Sequence, residues 1–182
     1  SNPNNLHSTY MVDVSLHYLA SNKKPIKNRT RVRFHTGTSE VLGNIILLDR
    51  EELAPDEATV VQLRLDAPVA LVKDDRFVIR SYSPVHTVGG GKVLNPIPPK
   101  HKRFKPEVVD GLKALEHLAP EAIVEFQAEA AGYQGVSFAH LKMITNLPDK
   151  QLEKILQHLL SQKALIQVEK ENRIYIHHNG FE

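Results

Sequence analysis

Cysteine is absent from the 182 residues. Its absence excludes a disulfide framework, cysteine-ligated zinc, an iron–sulfur centre and thiol catalysis, and it fits a reducing cytoplasm, the expected location. Long apolar runs are absent too. The longest candidate, Ile45–Leu48, falls far short of the ~18 residues a membrane helix needs, so no membrane partner is expected. No signal peptide precedes the first strand-like run, and the polar start leads residues 1–10 to be read as a tag or disordered start. Strong charge of one sign is also lacking. The formal net charge is +2, from 12 Lys/Arg against 10 Asp/Glu up to residue 98 and 11 of each thereafter. One shortage is local: no acid lies between Val14 and Ser39, a window that holds Lys23, Lys24, Lys27, Arg29, Arg31 and Arg33. A second basic knot is Lys100, His101, Lys102, Arg103 and Lys105. Patches of this kind meet phosphate even on a near-neutral chain, although each alone also fits a solvated face.

What is present is globular: 41% hydrophobic and 24% charged residues. The first half reads as strands. Val12, Val14, Leu16 and Tyr18 alternate with Asp13, Ser15 and His17, the period of a half-buried strand. Val32 and Phe34 alternate with Arg31, Arg33 and His35, which places those three on the face opposite the core. Val41–Leu48 is almost continuously apolar and reads as a strand buried on both sides. Thr59–Leu65, Arg76–Arg80 and Val85–Leu94 complete six strands. Turn chemistry separates them at Lys24-Pro25, Thr36-Gly37-Thr38, Ala54-Pro55-Asp56, Ala67-Pro68 and Lys73-Asp74-Asp75. Six short strands without a helical pattern predict a small all-β antiparallel barrel or sandwich over residues 11–95.

The pattern then changes. Asn95-Pro96-Ile97-Pro98-Pro99 cannot continue a sheet, so 96–104 reads as a stiff, proline-rich basic linker. Helical stripes follow over 105–182: Val108, Val109, Leu112, Leu115 and Leu118 after Pro106, then Ile123 and Phe126 within Glu121–Ala131, with Gly132 as a stop. Ser137 can cap a short helix with Phe138, Leu141 and Ile144, and Asp149 can cap a longer one with Leu152, Ile155, Leu156, Leu159 and Leu160. Leu165–Val168 and Ile174–Ile176 form a hairpin around Glu169–Arg173. This order predicts an α+β winged-helix domain.

Motifs for catalysis fail on spacing. Val88-Gly89-Gly90-Gly91-Lys92-Val93 lacks the earlier glycine and the following Ser/Thr of a phosphate loop, and the glycines instead suit close backbone approach in a bent strand. No dinucleotide fingerprint and no Gly-x-Ser-x-Gly elbow is present. The ten histidines show no paired helical spacing, so neither catalytic nor metal nor cofactor-binding residues are assigned. The helix Asp149–Gln162 offers Lys150 and Lys154 on its outer face, mixed with Glu153. Mixed signs weaken phosphate contact and favour a spacer or protein-contact role.

The runs Arg31–Gly43 (RVRFHTGTSEVLG) and Arg76–Pro96 (RFVIRSYSPVHTVGGGKVLNP), then Pro99-Lys100-His101-Lys102-Arg103, resemble the bacterial selenocysteine-specific elongation factor family. The shorter RF-x-IR…TVGGG piece is similar to the third domain of elongation factor Tu and is shared by several translational GTPases. The resemblance covers the family's third, barrel domain and its first winged helix. It implies a fragment of a GTPase that delivers selenocysteinyl-tRNA to the ribosome at recoded UGA codons. GTP and magnesium would belong to an N-terminal domain absent here, so the fragment itself is expected to be neither an enzyme nor a cofactor binder. The messenger selenocysteine-insertion hairpin would bind through absent C-terminal domains. The missing GTPase domain would be an intramolecular partner, and a monomer is expected. By the resemblance, the T-stem of tRNA would meet the strand carrying Arg31, Arg33 and His35, and the loop carrying Ser81, Tyr82, Ser83 and His86. Arg80 ends the neighbouring strand on the same face. Lys100, Lys102, Arg103, Lys150 and Lys154 are weaker RNA candidates. The competing readings are a DNA-binding winged-helix transcriptional regulator with a β-barrel sensory domain, and a small hydrolase.

Overall fold

The computed structural model describes residues 7–181, and the chain divides into two compact units, Ser1–Glu116 and His117–Glu182. In the first, the β-branched and leucine-rich segments form β1 (His7–Tyr18), β2 (Ile26–Lys27), β3 (Arg31–Thr36), β4 (Ser39–Leu47), β5 (Glu52–Leu53), β6 (Ala58–Leu71), β7 (Arg76–Ser81) and β8 (Thr87–Asn95). Six of them close an antiparallel barrel in the order β1-β6-β4-β3-β7-β8, while β2 and β5 pair as a separate ribbon that the sequence pattern did not reveal. The tag reading of residues 1–10 falls outside the described residues at 1–6, and from His7 onward the chain is strand rather than a disordered start. Ala67-Pro68, read as a turn, lies inside β6. The strand tolerates the proline because pairing with β1 is interrupted there: Thr9 faces Val69, but Met11 faces Arg64.

Alternation fills the barrel. Val12, Val14, Leu16, Phe34, Ile45, Leu47, Val61, Leu63 and Ile79 are buried in one cluster, with Phe34 stacked on Phe77 at 5.3 Å. Strands β8 and β1 come so close that a Cβ on Gly91 would sit 1.9 Å from the Ser15 carbonyl oxygen, which is why that position takes glycine. Ile46, Leu48, Val60 and Leu94 are buried although they point out of the barrel. The segment 96–104 is fastened along this outer face. Gln62 Nε2 donates to the Pro99 carbonyl at 2.9 Å, Arg64 Nη2 to the His101 carbonyl at 2.9 Å, and Phe104 N to the Leu48 carbonyl at 2.7 Å. Asp13, wholly buried, bonds His101 Nε2 at 2.7 Å and Gln62 Nε2 at 3.0 Å. The proline-rich stretch is thus a strap fastened to the barrel rather than a free linker. Helix α1 (Pro106–His117), which buries Val109, Leu112 and Leu115, goes with the barrel unit up to Glu116.

The second unit carries α2 (Pro120–Ala131), β9 (Val136–Ser137), α3 (Phe138–Thr145), α4 (Asp149–Ser161), β10 (Leu165–Glu169) and β11 (Ile174–His177). Its sheet runs β10-β11-β9, one strand more than the expected hairpin. Gly132 stops α2 at φ 61°, and Ser137 caps α3 by accepting from His140 N at 3.1 Å, both as the sequence indicates. Asp149 departs from expectation. Pro148 is the cap of α4, and Asp149, the first helical residue, pairs with Lys142 Nζ at 2.7 Å.

Candidate nucleic-acid interface

Strand β3 positions the candidate cations. Val32 and Phe34 are buried, so Arg31, Arg33 and His35 face outward on one side of the strand. Register sets their neighbours: Arg33 lies opposite Arg80 on β7, and Val32 opposite Ser81. Two arginines directly opposed on paired strands repel unless an anion lies near both. Arg80 partly meets this need with Glu40 of β4, at 3.6 Å. Among the described residues Arg33 has no such acid. Its Nε and Nη2 both reach the Tyr82 carbonyl at 3.4 Å, and its guanidinium sits 5.4 Å from the centroid of the Tyr82 ring. The contact holds the arginine by a neutral acceptor and a π face, leaving its charge uncompensated.

The loop between β7 and β8 is built around Ser81. Ser81 N donates to the His86 carbonyl at 2.9 Å, His86 N donates to Ser81 Oγ at 3.1 Å, and Ser81 Oγ lies 2.9 Å from His86 Nδ1. Ser81 Oγ also donates to the Pro84 carbonyl. These bonds pin the loop's two ends and push its tip outward, so Tyr82 and Val85 are half exposed and Ser83 is exposed. Ser81 and His86 therefore shape the loop, while Tyr82 and Ser83 present it. A cavity of about 410 Å³ lies beside the loop, with Tyr18, Ile26, Val32 and Val88 among its apolar lining and Lys27, Thr30, Arg31, Ser81, Tyr82 and Ser83 among its polar lining. Lys27, in the basic window of the sequence, ends β2, and Thr30, which the sequence did not single out, follows the turn after it, where periodicity carries no signal.

Arg31 is less available than alternation suggests. It forks onto Asp66 of β6 at 3.0 and 2.6 Å and reaches Asn44 Oδ1 at 3.3 Å. These hydrogen bonds hold the Asp66 carboxyl below the usual carboxylate range. The acid-free window in sequence is thus not acid-free in space. Among the weaker candidates, Lys100 and Lys102 are exposed on the strap. Arg103 is committed: it donates to the Leu47 and Arg50 carbonyls at 2.6 Å each, pairs with Glu51 at 3.3 Å, and stacks on Phe104. In the second unit Lys150 and Lys154 are exposed on α4. Their neighbour Glu153 takes a fork from Arg173 at 2.6 and 3.0 Å. No group of three or more His, Asp or Glu side chains among the described residues could hold a metal ion, and no described helix is long and apolar enough to cross a membrane.

Residues 13–100 match the family described as the selenocysteine-specific elongation factor, beta-barrel domain. The chain is 33% identical over 97% of its length to the selenocysteine-specific elongation factor of Desulfomicrobium baculatum, of which it covers 28%. It is 29% identical over 54% of its length to the protein of the same name from Escherichia coli (strain K12), covering 15% of it, and 30% identical over 43% to that of Haemophilus influenzae, covering 13%. The chain therefore spans less than a third of the length of these relatives.

Proposed function

Because the chain belongs to the family of selenocysteine-specific elongation factors, we propose that its barrel is the part that holds selenocysteinyl-tRNA while a GTPase delivers it to the ribosome at recoded UGA codons. GTP and its magnesium ion act in a domain outside this chain, where no residue run has the spacing of a phosphate loop. The second unit is a winged helix that spaces the barrel from the parts that read the messenger hairpin. Its order of helix, strand, two helices and hairpin supports that reading. The mixed signs of α4, with Glu153 between Lys150 and Lys154, argue against the regulator alternative. The factor works as a cytoplasmic monomer.

One observation carries the RNA reading: Arg33 and Arg80 are opposed across β3 and β7, beside a loop that presents Tyr82 and Ser83. Arg33 can exchange a carbonyl held at 3.4 Å for a phosphate oxygen, a stronger charge-assisted bond. Tyr82 adds a ring face and a hydroxyl, and His35 extends the row. Such contacts position an A-form stem through its backbone without reading its bases, which is the requirement for a carrier. The test uses the full-length protein with Arg31→Ala and Arg33→Ala, titrated with selenocysteinyl-tRNA at several salt concentrations. Weaker binding and a slope reduced by ~1 per lost phosphate contact are expected. An unchanged affinity and slope, with GTP binding intact, would reject this face. A change confined to coupling with the GTP state would instead make it the seam with the GTPase domain.

A further inference from the structure

Arg31 begins a lateral row that crosses three strands. It lies opposite Asn44 on β4, and Asn44 lies opposite Arg64 on β6, so all three point out of the barrel together. The two arginines are differently kept. Arg31 has Asp66, whereas Arg64 has only neutral acceptors: Nε donates to Gln62 Oε1 at 3.2 Å and Nη2 to the His101 carbonyl at 2.9 Å. Burial and the nearby charge of Arg29 both disfavour its cation, which fits a guanidinium lacking an anion.

Two elements bring more positive charge to the same place. Arg29 stands in the left-handed region at φ 69°, with its N–H on the Ile45 carbonyl at 2.7 Å, so its exposed side chain is anchored beside β4. The strap supplies Lys100 and Lys102 on either side of His101, the residue whose carbonyl holds Arg64. The acids nearby are already engaged: Asp13 with His101, Asp66 with Arg31, and Glu51 with Arg103. Among the described residues no ion pair neutralises Arg29, Arg64, Lys100 or Lys102.

We propose that Arg29, Arg64, Lys100 and Lys102 form a second seat for an RNA phosphodiester backbone, lateral to the Arg33–Tyr82 face. The proposal rests on the reading of the barrel as an RNA-contacting module and extends it to a surface that the resemblance does not assign. Arg31 and Arg64 stand two strands apart, ~10 Å, on a closed sheet that cannot flex to bring them together. Charges fixed at such intervals suit a regular polyanion better than a single small anion. The strap makes the seat: without Pro99–Arg103 fastened to the barrel, Arg64 would lose its carbonyl and the two lysines their position.

The experiment uses the 182-residue chain, a fluorescein-labelled RNA hairpin and a series of sodium chloride concentrations. The combined variant Arg29→Gln, Arg64→Gln, Lys102→Gln is expected to lower the log affinity–log salt slope by ~2–3, and Arg29→Gln alone by ~0.9. Arg64→Lys should retain the slope. Arg29→Gln guards against a folding artefact, because its side chain is exposed and its anchoring bond is made by the backbone. If the combined variant leaves the slope unchanged while Arg33→Gln with Arg80→Gln lowers it, the second seat is wrong and the first face stands. If the unaltered chain shows no salt-dependent binding, both readings fall. If polyglutamate of matched charge competes as well as unlabelled hairpin, the seat is for an acidic protein and the RNA assignment is overturned.

Discussion

The barrel unit, with 17 Lys/Arg and 13 Asp/Glu, and the α/β unit, with 6 and 8, spend their charges differently. In the α/β unit, several basic side chains, unlike the exposed Lys150 and Lys154, meet acids from neighbouring elements: Arg173 forks onto Glu153, Lys142 meets Asp149, His177 meets Glu125 at 3.0 Å, and His158 meets Glu121. These bonds tie helices to one another and to the sheet. In the barrel, closed backbone ladders already do that work. Ion pairs such as Arg31–Asp66 and Arg80–Glu40 are added to that frame, and among the described residues Arg33, Arg64, Arg29 and the strap lysines stand without carboxylates. A fold held by its ladders can leave charge unmatched on its surface, and unmatched charge is what an RNA backbone recognises.

The largest expected difference between the units is in glycine tolerance. Gly91→Ala in β8 should cost ~3 kcal/mol or more, because the new Cβ meets a backbone oxygen at 1.9 Å that cannot turn aside. Gly132→Ala after α2 meets no atom within 4 Å, but at φ 61°, ψ −145° it holds a backbone that glycine alone adopts readily, so it should cost ~1–3 kcal/mol through the backbone and not through contact. Thermal unfolding followed by circular dichroism checks both. A loss at Gly91 below ~1 kcal/mol would mean that the strand approach in the barrel is adjustable.

A second difference is in the sign of pH dependence. Burial raises the Asp13 carboxyl above its ordinary 3.8, against the bonds from His101 and Gln62 that pull it down. A raised carboxyl favours folding below the unfolded value, and that contribution is lost as pH climbs through the folded one. Glu153 is the reverse. The hydrogen bonds from Arg173 hold it below 4.5, so its contribution is present above that value and lost as pH falls through the depressed one. Asp13→Asn should flatten the barrel's profile above pH ~4, and Glu153→Gln should flatten the other unit's acid limb. Urea unfolding across pH 3–8 gives the measurement. Asp13→Ala, which strands His101 and Gln62 beneath the strap, should cost ~3 kcal/mol.

Much of this was legible from residue patterns. Period-two alternation placed β1, β3, β6 and β7, and the two-sided apolar run at Val41–Leu48 placed β4 and predicted the outward burial of Ile46 and Leu48. What is fastened along that outer face was not legible. Asn95–Pro99 has the composition of a linker, and only the fold brings Gln62, Arg64 and Asp13 to the positions where that segment is fastened. The outward direction of Arg31, Arg33 and His35 could be read from alternation, but the company they keep could not. Asp66 reaches Arg31 from β6, and Glu40, opposite His35 on β4, pairs with Arg80 on β7; such register leaves no trace in local sequence. Arg64 escaped notice for the same reason, since its significance depends on Asn44, Arg29 and the strap.

Placed on one scale of salt dependence, the two units should separate. Arg33→Ala with Arg80→Ala should lower the slope for RNA by ~1–2, because neither loss is made good by a neighbour. Lys150→Gln with Lys154→Gln should lower it by less than ~1, since α4 presents Glu153 between them. A larger effect from the α4 pair would move the RNA-contacting surface to the α/β unit.

The smallest expected effect lies within the barrel face itself and turns on Arg31. Its fork onto Asp66 must open, or be shared, before a phosphate can use that guanidinium. The pair is solvent-exposed, with half of the Asp66 side chain accessible, so exchange is inexpensive but not free. Arg31→Ala should therefore weaken RNA binding less than Arg33→Ala, by a factor of two or so rather than ten. Asp66→Asn makes the sharper test. It removes the competing charge, leaves Arg31 in its row against Asn44, and should raise both the affinity and the slope, the latter by up to ~1. The gain should disappear when Arg31→Ala is added, because no other described cation pairs with Asp66. If Asp66→Asn instead weakened binding, the fork would be holding Arg31 in its binding pose rather than withholding it. The two opposed faces of β3 and β7, and not the Arg31 row, would then be the whole of the first contact.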